Sequence, residues 1–537
     1  MQYGLNREQK KAVMSNADKI LCLAGAGTGK TRTMIERIVR LVNDGVSPSS
    51  ILALTFTNAA AFEMKSRYKE YISDSDSPEF RTFHSYCYDI LSKSTDIRRC
   101  FGYSSMPDIA DESDEKRIIK EAMMQSGISI TQKKLSDPST MSLIEKKNYD
   151  ILLKCRKRIM LKKNLITFDE LCTSICNLFI NNDPLIIQYK NQIKYLCVDE
   201  YQDTDRIQHD FVMSFDGYAK LFVVGDALQS LYRFRGAVPE IIKSLSMDTE
   251  WELVRLSENY RSTKEICDFA NEFSESYADE SYRAPIISNR IGNSVDLRSY
   301  TGFTDSDRYH DIFKRIATEC RCLRGTVAII ARTNSECDDI KSELDRNHIQ
   351  YSSNHKDVDA KYILPSVTDS TFMINWLATF LPADQYSEFV RIAVINASDD
   401  SYTTEKVFMS HFGSNPEIST KAESIYAIRN IVNCRKGLDE TCKDVLRIIG
   451  YPNLHVNLSN VTKVSELFSE ILSIIESYSE QESDVYVGTI HSVKGLEYDT
   501  VYVMGVDGYH FKLNTEDNKN VYYVAITRAK DNLIIYS

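Results

Sequence analysis

Asp199 and Glu200 stand side by side at the end of the run Tyr195-Leu196-Cys197-Val198. Two adjacent carboxylates delivered by a buried strand can divide their labour: one holds a magnesium ion while the other orients and deprotonates a water. Far upstream, Lys19-Ile20-Leu21-Cys22-Leu23 empties into Ala24-Gly25-Ala26-Gly27-Thr28-Gly29-Lys30-Thr31. A glycine-rich turn of this spacing wraps a β-phosphate with backbone N–H groups. Lys30 then neutralises β/γ charge and the Thr31 hydroxyl holds the metal. Ala24 occupies the first position of the pattern G-x-x-x-x-G-K-[ST], where the later glycines make the close approach. Together the two motifs predict a bound nucleoside triphosphate with Mg2+ and a water aimed at its terminal phosphate.

Such motifs need rigid elements to position them. Strand-like apolar runs recur at Ile20–Leu23, Ile51–Thr55, Tyr195–Val198, Leu221–Val224, Val327–Ile330, Val485–Val487, Val501–Met504 and Leu533–Tyr536. Most are continuous rather than alternating, as parallel strands covered on both faces require. They fall into two groups, before about residue 260 and after about residue 325, and long helical stretches at roughly 88–164 and 380–482 interrupt them. The expected fold is α/β, with two cores of parallel strands flanked by helices, each carrying a helical insertion.

At 537 residues the chain is too long for one ordinary core. Its composition, 43% hydrophobic and 26% charged, is that of a folded protein. No apolar run approaches the ~18–20 residues that span a bilayer, and Met1-Gln2-Tyr3-Gly4 shows no signal-peptide pattern, so no membrane is expected. Thirteen scattered cysteines fit a reducing cytoplasm; none forms a C-x-x-C, which argues against a zinc knuckle or a four-cysteine iron–sulfur site. The net charge of −11 excludes a uniformly basic nucleic-acid coat. Locally, residues 133–163 hold ten Lys/Arg against three acids, whereas 380–482 hold nine against fifteen.

The order of the motifs resembles the superfamily 1 helicases related to UvrD, Rep and PcrA, and the resemblance covers nearly the whole chain. Leu5-Asn6-Arg7-Glu8-Gln9 is similar to the family's adenine-reading Q motif, Leu54-Thr55-Phe56-Thr57-Asn58-Ala59-Ala60 to motif Ia, and Thr82-Phe83-His84-Ser85 to motif Ib. Phe222-Val223-Val224-Gly225-Asp226-Ala227-Leu228-Gln229-Ser230-Leu231-Tyr232-Arg233-Phe234-Arg235-Gly236 resembles motif III. Glu258-Asn259-Tyr260-Arg261-Ser262 and Ala331-Arg332-Thr333-Asn334 resemble motif IV and its companion in the second core. Gly488-Thr489-Ile490-His491-Ser492-Val493-Lys494-Gly495-Leu496-Glu497 resembles motif V, and Val524-Ala525-Ile526-Thr527-Arg528-Ala529-Lys530 motif VI. Ala59, Leu228 and Phe234 depart from the usual residues, the last replacing a tryptophan.

The resemblance implies two RecA-like P-loop NTPase cores: 1–87 with 165–262, and 263–379 with 483–537. Helical insertions would occupy 88–164 and, in reduced form, 380–482. It implies ATP and Mg2+ as cofactors, held by Gln9, Ala24, Gly25, Ala26, Gly27, Thr28, Gly29, Lys30, Thr31, Arg32, Tyr260 and Glu497, with Thr31 and Asp199 on the metal. Lys30, Asp199, Glu200, Gln229, Arg261 and Arg528 would carry catalysis, Arg528 arriving from the second core as the cleft closes. Phe56, Asn58, Thr82, His84, Tyr232, Phe234, Arg235, Arg332, Thr489 and His491 would line a groove for single-stranded DNA and its junctions with duplex. The implied activity is ATP-driven 3′-to-5′ movement and unwinding. Compact members also resemble the helicase component of two-gene anti-phage systems such as Gabija. The acidic second insertion keeps open a second reading: a DNA-stimulated ATPase or sensor acting with a partner nuclease or repair protein. A translocase that separates no strands is a third.

Overall fold

The computed structural model describes residues 4–72, 76–110, 112–131, 134–135, 141–233, 236–299, 308–320, 322–323, 325–347, 349–353, 364, 416–433, 437–449, 456, 458, 461–478, 484–506 and 511–537. The chain divides into two compact units. The first comprises Met1–Gly302, Ile330–Arg332 and Val493–Ser537, the second Phe303–Ile329 and Thr333–Ser492.

The first unit is built on β1 (Lys19–Ala24), β2 (Ile51–Thr55), β3 (Glu79–Thr82), a minor pair β4 (Asp108–Ile109) and β5 (Leu165–Ile166), then β6 (Tyr195–Val198), β7 (Lys220–Gly225) and β8 (Glu252–Leu256). Six of them form a parallel sheet in the order β3-β2-β6-β7-β1-β8. Successive side chains of a strand point to opposite faces, and here both faces are apolar. Leu21, Leu23, Leu52, Leu54, Leu196, Val198, Leu221 and Val223 enter one core, while Ile20, Cys22, Ile51, Ala53, Cys197, Phe222 and Val224 enter the other. Helix Lys30–Asn43 covers the second face with Met34, Ile35 and Ile38. Helices Phe83–Lys93, Phe168–Ile180 and Arg206–Met213 cover the first with Ile90, Leu171, Phe179 and Phe211. Each such fully buried side chain contributes about 1.5–3 kcal/mol.

The described residues between Phe83–Lys93 and Phe168–Ile180 are mostly helical apart from the β4–β5 pair. Glu112–Ser126 and Leu143–Lys162 bury Ile118, Ala122, Leu152 and Ile159 in a core of their own. The basic excess here is partly neutralised: Lys134 pairs with Glu145, Arg156 with Glu170, and Lys163 with Glu121.

The remaining strands are β9 (Asp296–Arg298), β10 (Val327–Ala331), β11 (Val485–Thr489), β12 (Tyr498–Val503) and β13 (Ala529–Tyr536). In the first unit, β13 lies between β12 and β9, parallel to both. In the second, helix Asn334–Arg346 starts on a Thr333/Glu336 capping box and buries Cys337, Ile340 and Leu344. Helices Pro416–Asn433, Leu438–Ile448 and Val464–Tyr478 fall where the second insertion was expected. Residues 380–415 of that expectation lie outside the described residues. Among the described residues no helix is long and apolar enough to cross a membrane.

Candidate nucleotide-hydrolysis site

Five parallel strands release their chains along one edge, and the chemistry-bearing residues follow each of them. Gly25–Lys30 follow β1, Asp199 follows β6, Asp226 follows β7, Phe56 follows β2, and Phe83-His84 follow β3. The carboxyl edge of an open α/β sheet is where such folds place ligands.

After β1 the backbone must turn tightly. Gly27 and Gly29 have φ of +69° and +80°. A Cβ on Gly27 would meet Asn259 Nδ2 at 2.7 Å and Arg261 Cβ at 2.8 Å, so glycine is required there. The loop carbonyls are engaged from behind: Ala26 accepts from Asn259 Nδ2 at 2.7 Å, Gly27 from the Tyr260 N–H at 2.9 Å, and Thr28 from Gln9 Nε2 at 3.1 Å. Gln9 is fully buried and locked in a capping box with Asn6. Gly29 caps helix Lys30–Asn43 without a side chain, and the first-turn N–H groups of that helix suit an anion. Lys30 Nζ donates to the Ala24 carbonyl at 3.3 Å.

The Thr31 hydroxyl donates to Asp199 Oδ2 at 3.1 Å, and the Glu200 N–H donates to Asp199 Oδ1 at 2.9 Å. Burial pushes the Asp199 carboxyl up to about 7, Glu200 adding to the rise and Lys30 opposing it. Glu200 ends below the usual carboxylate range, because Lys30 and Lys494 outweigh the cost of its burial. A hydroxyl and a carboxylate oxygen this close, both hard donors in a buried and undercharged setting, fit Mg2+. Glu200 itself sits in the left-handed region, φ 51° and ψ 41°. That conformation costs about 1 kcal/mol and persists only when the surroundings fix it. Gln202 provides this support: its Nε2 donates to Glu200 Oε2, and its Oε1 accepts the Asp226 N–H at 2.9 Å.

A chain of hydrogen bonds continues outward. Gln229 Nε2 donates to Asp226 Oδ2 at 2.7 Å, and Arg528 Nη2 donates to Gln229 Oε1 at 3.0 Å. Burial, with Arg261 nearby, lowers the Arg528 guanidinium to about 9, which leaves it cationic at neutral pH. Lys494 donates to Asp203 Oδ2 and, at 3.0 Å, to the Gln229 carbonyl. Its ammonium also lies 4.9 Å from the centre of the Tyr232 ring. Arg261 Nε donates to Glu497 Oε2 at 2.7 Å, and its Nη1 to the Thr527 carbonyl at 3.0 Å. The half-exposed Tyr260 accepts from Asn6 Nδ2 at 3.0 Å. Residues 493–537 belong to the same compact unit as the glycine-rich loop. Arg528 therefore already stands at Gln229, where the sequence reading has it arriving on closure.

The predicted groove residues are less uniformly assembled. Phe56 packs edge-on against Phe83 with ring centres 6.0 Å apart, and Asn58 is exposed at the start of helix Asn58–Tyr71. Thr82 spends its hydroxyl as the N-cap of helix Phe83–Lys93, accepting from the Ser85 N–H at 3.1 Å. His84 Nε2 is 3.5 Å from Asp169 Oδ1, and Arg332 lies 6.0 Å from the Phe511 ring centre. Thr489 and His491 belong to the second unit, where Thr489 lines a cleft of about 100 Å³ with Asn334, Lys341 and Ser492. Phe234 and Arg235 lie outside the described residues. Arg32 lies one residue beyond Thr31 in the first turn of its helix.

Five residues that hold this constellation together carry no role in the sequence reading: Gln202, Asp203, Asp226, Asn259 and Lys494. The Gln202-Asp203 step directly behind the carboxylates is the only local signal. Nothing in spacing announces that Asp203 pairs with a lysine 291 residues away.

A glycine-rich loop, a strand-end carboxylate pair and parallel sheets under helices define a P-loop nucleotide-hydrolysing class of protein. Residues 5–159 and 145–250 match the UvrD/REP helicase N-terminal domain, and residues 254–357 and 385–537 match the UvrD-like helicase C-terminal domain. The chain belongs to the UvrD-like helicase family. Similar proteins include the ATP-dependent DNA helicase PcrA of Staphylococcus epidermidis, 27% identical across 99% of this chain and 83% of that protein. The probable DNA helicase II homolog of Mycoplasma capricolum is 26% identical across 99% and 84%, and the PcrA of Staphylococcus aureus is 26% identical across 99% and 83%.

Proposed function

We propose that this chain is an ATP-dependent DNA helicase or translocase that moves 3′ to 5′ on single-stranded DNA. The observation that carries the reading is the unbroken path Glu200–Gln202–Asp226–Gln229–Arg528. It links the carboxylate that would take a proton from water to a buried cation that would meet charge on the γ-phosphate.

In this account Ala24–Thr31 and Arg32 cradle the triphosphate, with Gln9 and Tyr260 at the adenine and Glu497 at the ribose. Thr31 and Asp199 would hold Mg2+, which would supply positive charge against the phosphates. Glu200 orients the water and accepts its proton. Lys30, Arg261 and Arg528 then stabilise the charge that spreads over the transferring group. Gln229 is the branch point: its side chain meets Arg528 and its carbonyl meets Lys494, which also faces Tyr232. A shift at Gln229 on hydrolysis is thus two contacts away, through Lys494, from an aromatic suited to stacking on a base. In the first unit Phe56, Asn58 and Arg332 would contact the strand, with Thr82 and His84 at its edge; Thr489 and His491, and Phe234 and Arg235, would contact it by the family resemblance.

The test is Glu200→Gln. The variant should bind a nucleotide and a single-stranded oligonucleotide as the wild type does, while turnover falls about 10²- to 10⁴-fold. Wild-type turnover would refute the role of that carboxylate. The acidic 380–482 segment supports a second reading, in which the motor works with a partner nuclease in anti-phage defence or repair. Co-purification with a nuclease, together with translocation but no unwinding by the isolated chain, would favour it.

A further inference from the structure

We propose that Cys87, Cys172 and Cys176 bind one zinc ion, with His84 as the fourth ligand. The three thiols come from two helices, Phe83–Lys93 and Phe168–Ile180, and all are buried. Cys87 Sγ is 3.8 Å from Cys172 Sγ, Cys172 Sγ is 3.9 Å from Cys176 Sγ, and all three sulfurs lie within 4.8 Å of one another. Sulfurs bound to a tetrahedral zinc at about 2.3 Å are separated by roughly 3.8 Å, so two of the three edges already have ligand spacing.

The fourth ligand follows from position. His84 precedes Cys87 by one helical turn, so the two share a helix face. His84 lies outside the set of groups within 4.8 Å of one another, and its Nε2 is 3.5 Å from Asp169 Oδ1, so its ring would have to shift to bring Nδ1 onto a metal at the sulfurs. A histidine that gives one nitrogen to a carboxylate and the other to zinc is fixed in tautomer and orientation. Asp169 precedes Cys172 by three residues on the second helix, so the supporting carboxylate and the thiols arrive on shared faces of two neighbouring helices. Three thiolates and one neutral imidazole around a dication leave a single negative charge, and the thiol protons leave to solvent on binding.

The place of the site suggests its use. The chain leaves the first sheet through the helix bearing Cys87 and returns through the helix bearing Cys172, 85 residues later. Everything between them is the helical insertion. A zinc ion here clips the insertion at its base and fixes the helix that starts at Thr82 and His84. The role is structural, and metal content reports it independently of nucleotide hydrolysis.

The experiment uses the full chain, stripped of metal and titrated with zinc(II) or cobalt(II). About one equivalent should survive gel filtration, and the cobalt form should show a near-ultraviolet thiolate-to-cobalt band and tetrahedral visible bands. Cys87→Ser and Cys172→Ser should each weaken binding by at least about 100-fold, and His84→Ala by about 10- to 100-fold with a changed visible spectrum. Cys267→Ser, a buried thiol elsewhere in the same unit, should retain the full equivalent. If the cysteine variants fail to fold, the wild-type cobalt spectrum decides. A wild-type chain with no thiolate-to-cobalt band and less than about a tenth of an equivalent of zinc would overturn the proposal.

Discussion

Lys494 has to be judged by what it leaves behind when removed. It and Asp203 are both almost entirely buried, and Lys494 donates to Asp203 Oδ2. Burial raises the Asp203 carboxyl to about 6 even beside the lysine, while pairing with Asp203 and Glu200 raises Lys494. Both groups thus depend on the pair for their charge. Lys494→Ala should cost about 3–5 kcal/mol of stability, because it strands a buried carboxylate. Lys494→Met with Asp203→Leu should recover most of that loss in thermal or urea unfolding, yet hydrolysis should stay impaired because the Gln229 contact is gone. Recovery of stability and turnover together would make the pair a packing feature only. Arg528→Ala removes the cation at the end of the path, and turnover should fall about 10²- to 10³-fold with little change in nucleotide affinity. A proportional loss of affinity would instead place Arg528 in ground-state binding.

At the scale of elements, the site is the edge of one parallel sheet, and its precision depends on loops that glycine and caps hold in place. Gly27→Ala combines a left-handed backbone with two contacts below 3 Å, so it should abolish detectable nucleotide binding in a displacement titration with a fluorescent analogue. Thr82→Ala removes an N-cap and should cost about 1 kcal/mol, read as a lowered unfolding midpoint. An unchanged midpoint with weakened DNA binding would return Thr82 to the groove. The strands were legible in sequence because both faces of each are apolar: Ile20–Leu23 and Leu221–Val224 contain no polar residue to confuse the pattern. The loop and the Asp199-Glu200 pair were legible because phosphate and metal chemistry demand those residues at fixed local spacing. Lys494 and the cysteine cluster were not, since their partners lie 291 and 85 residues distant. Contacts of that kind are set by topology, and no local spacing encodes them.

On the scale of the whole molecule, residues from both ends of the chain meet at the nucleotide site. Val493–Ser537 pack with the N-terminal unit, because the side chains of Lys494, Glu497 and Arg528 are anchored at Asp203, Arg261 and Gln229. A nucleotide with Mg2+ should therefore stabilise the first unit through residues drawn from both ends of the chain. At about 100 times its Kd it should add about 2.7 kcal/mol. The central claim is that this site is a motor's engine, in which strand binding governs hydrolysis. The direct measurement is the steady-state ATP turnover of the full chain with Mg2+, with and without a single-stranded DNA oligonucleotide. The account predicts slow hydrolysis alone and at least a tenfold rise with the oligonucleotide, lost in Glu200→Gln. Turnover indifferent to DNA, or undetectable in its presence, would contradict it.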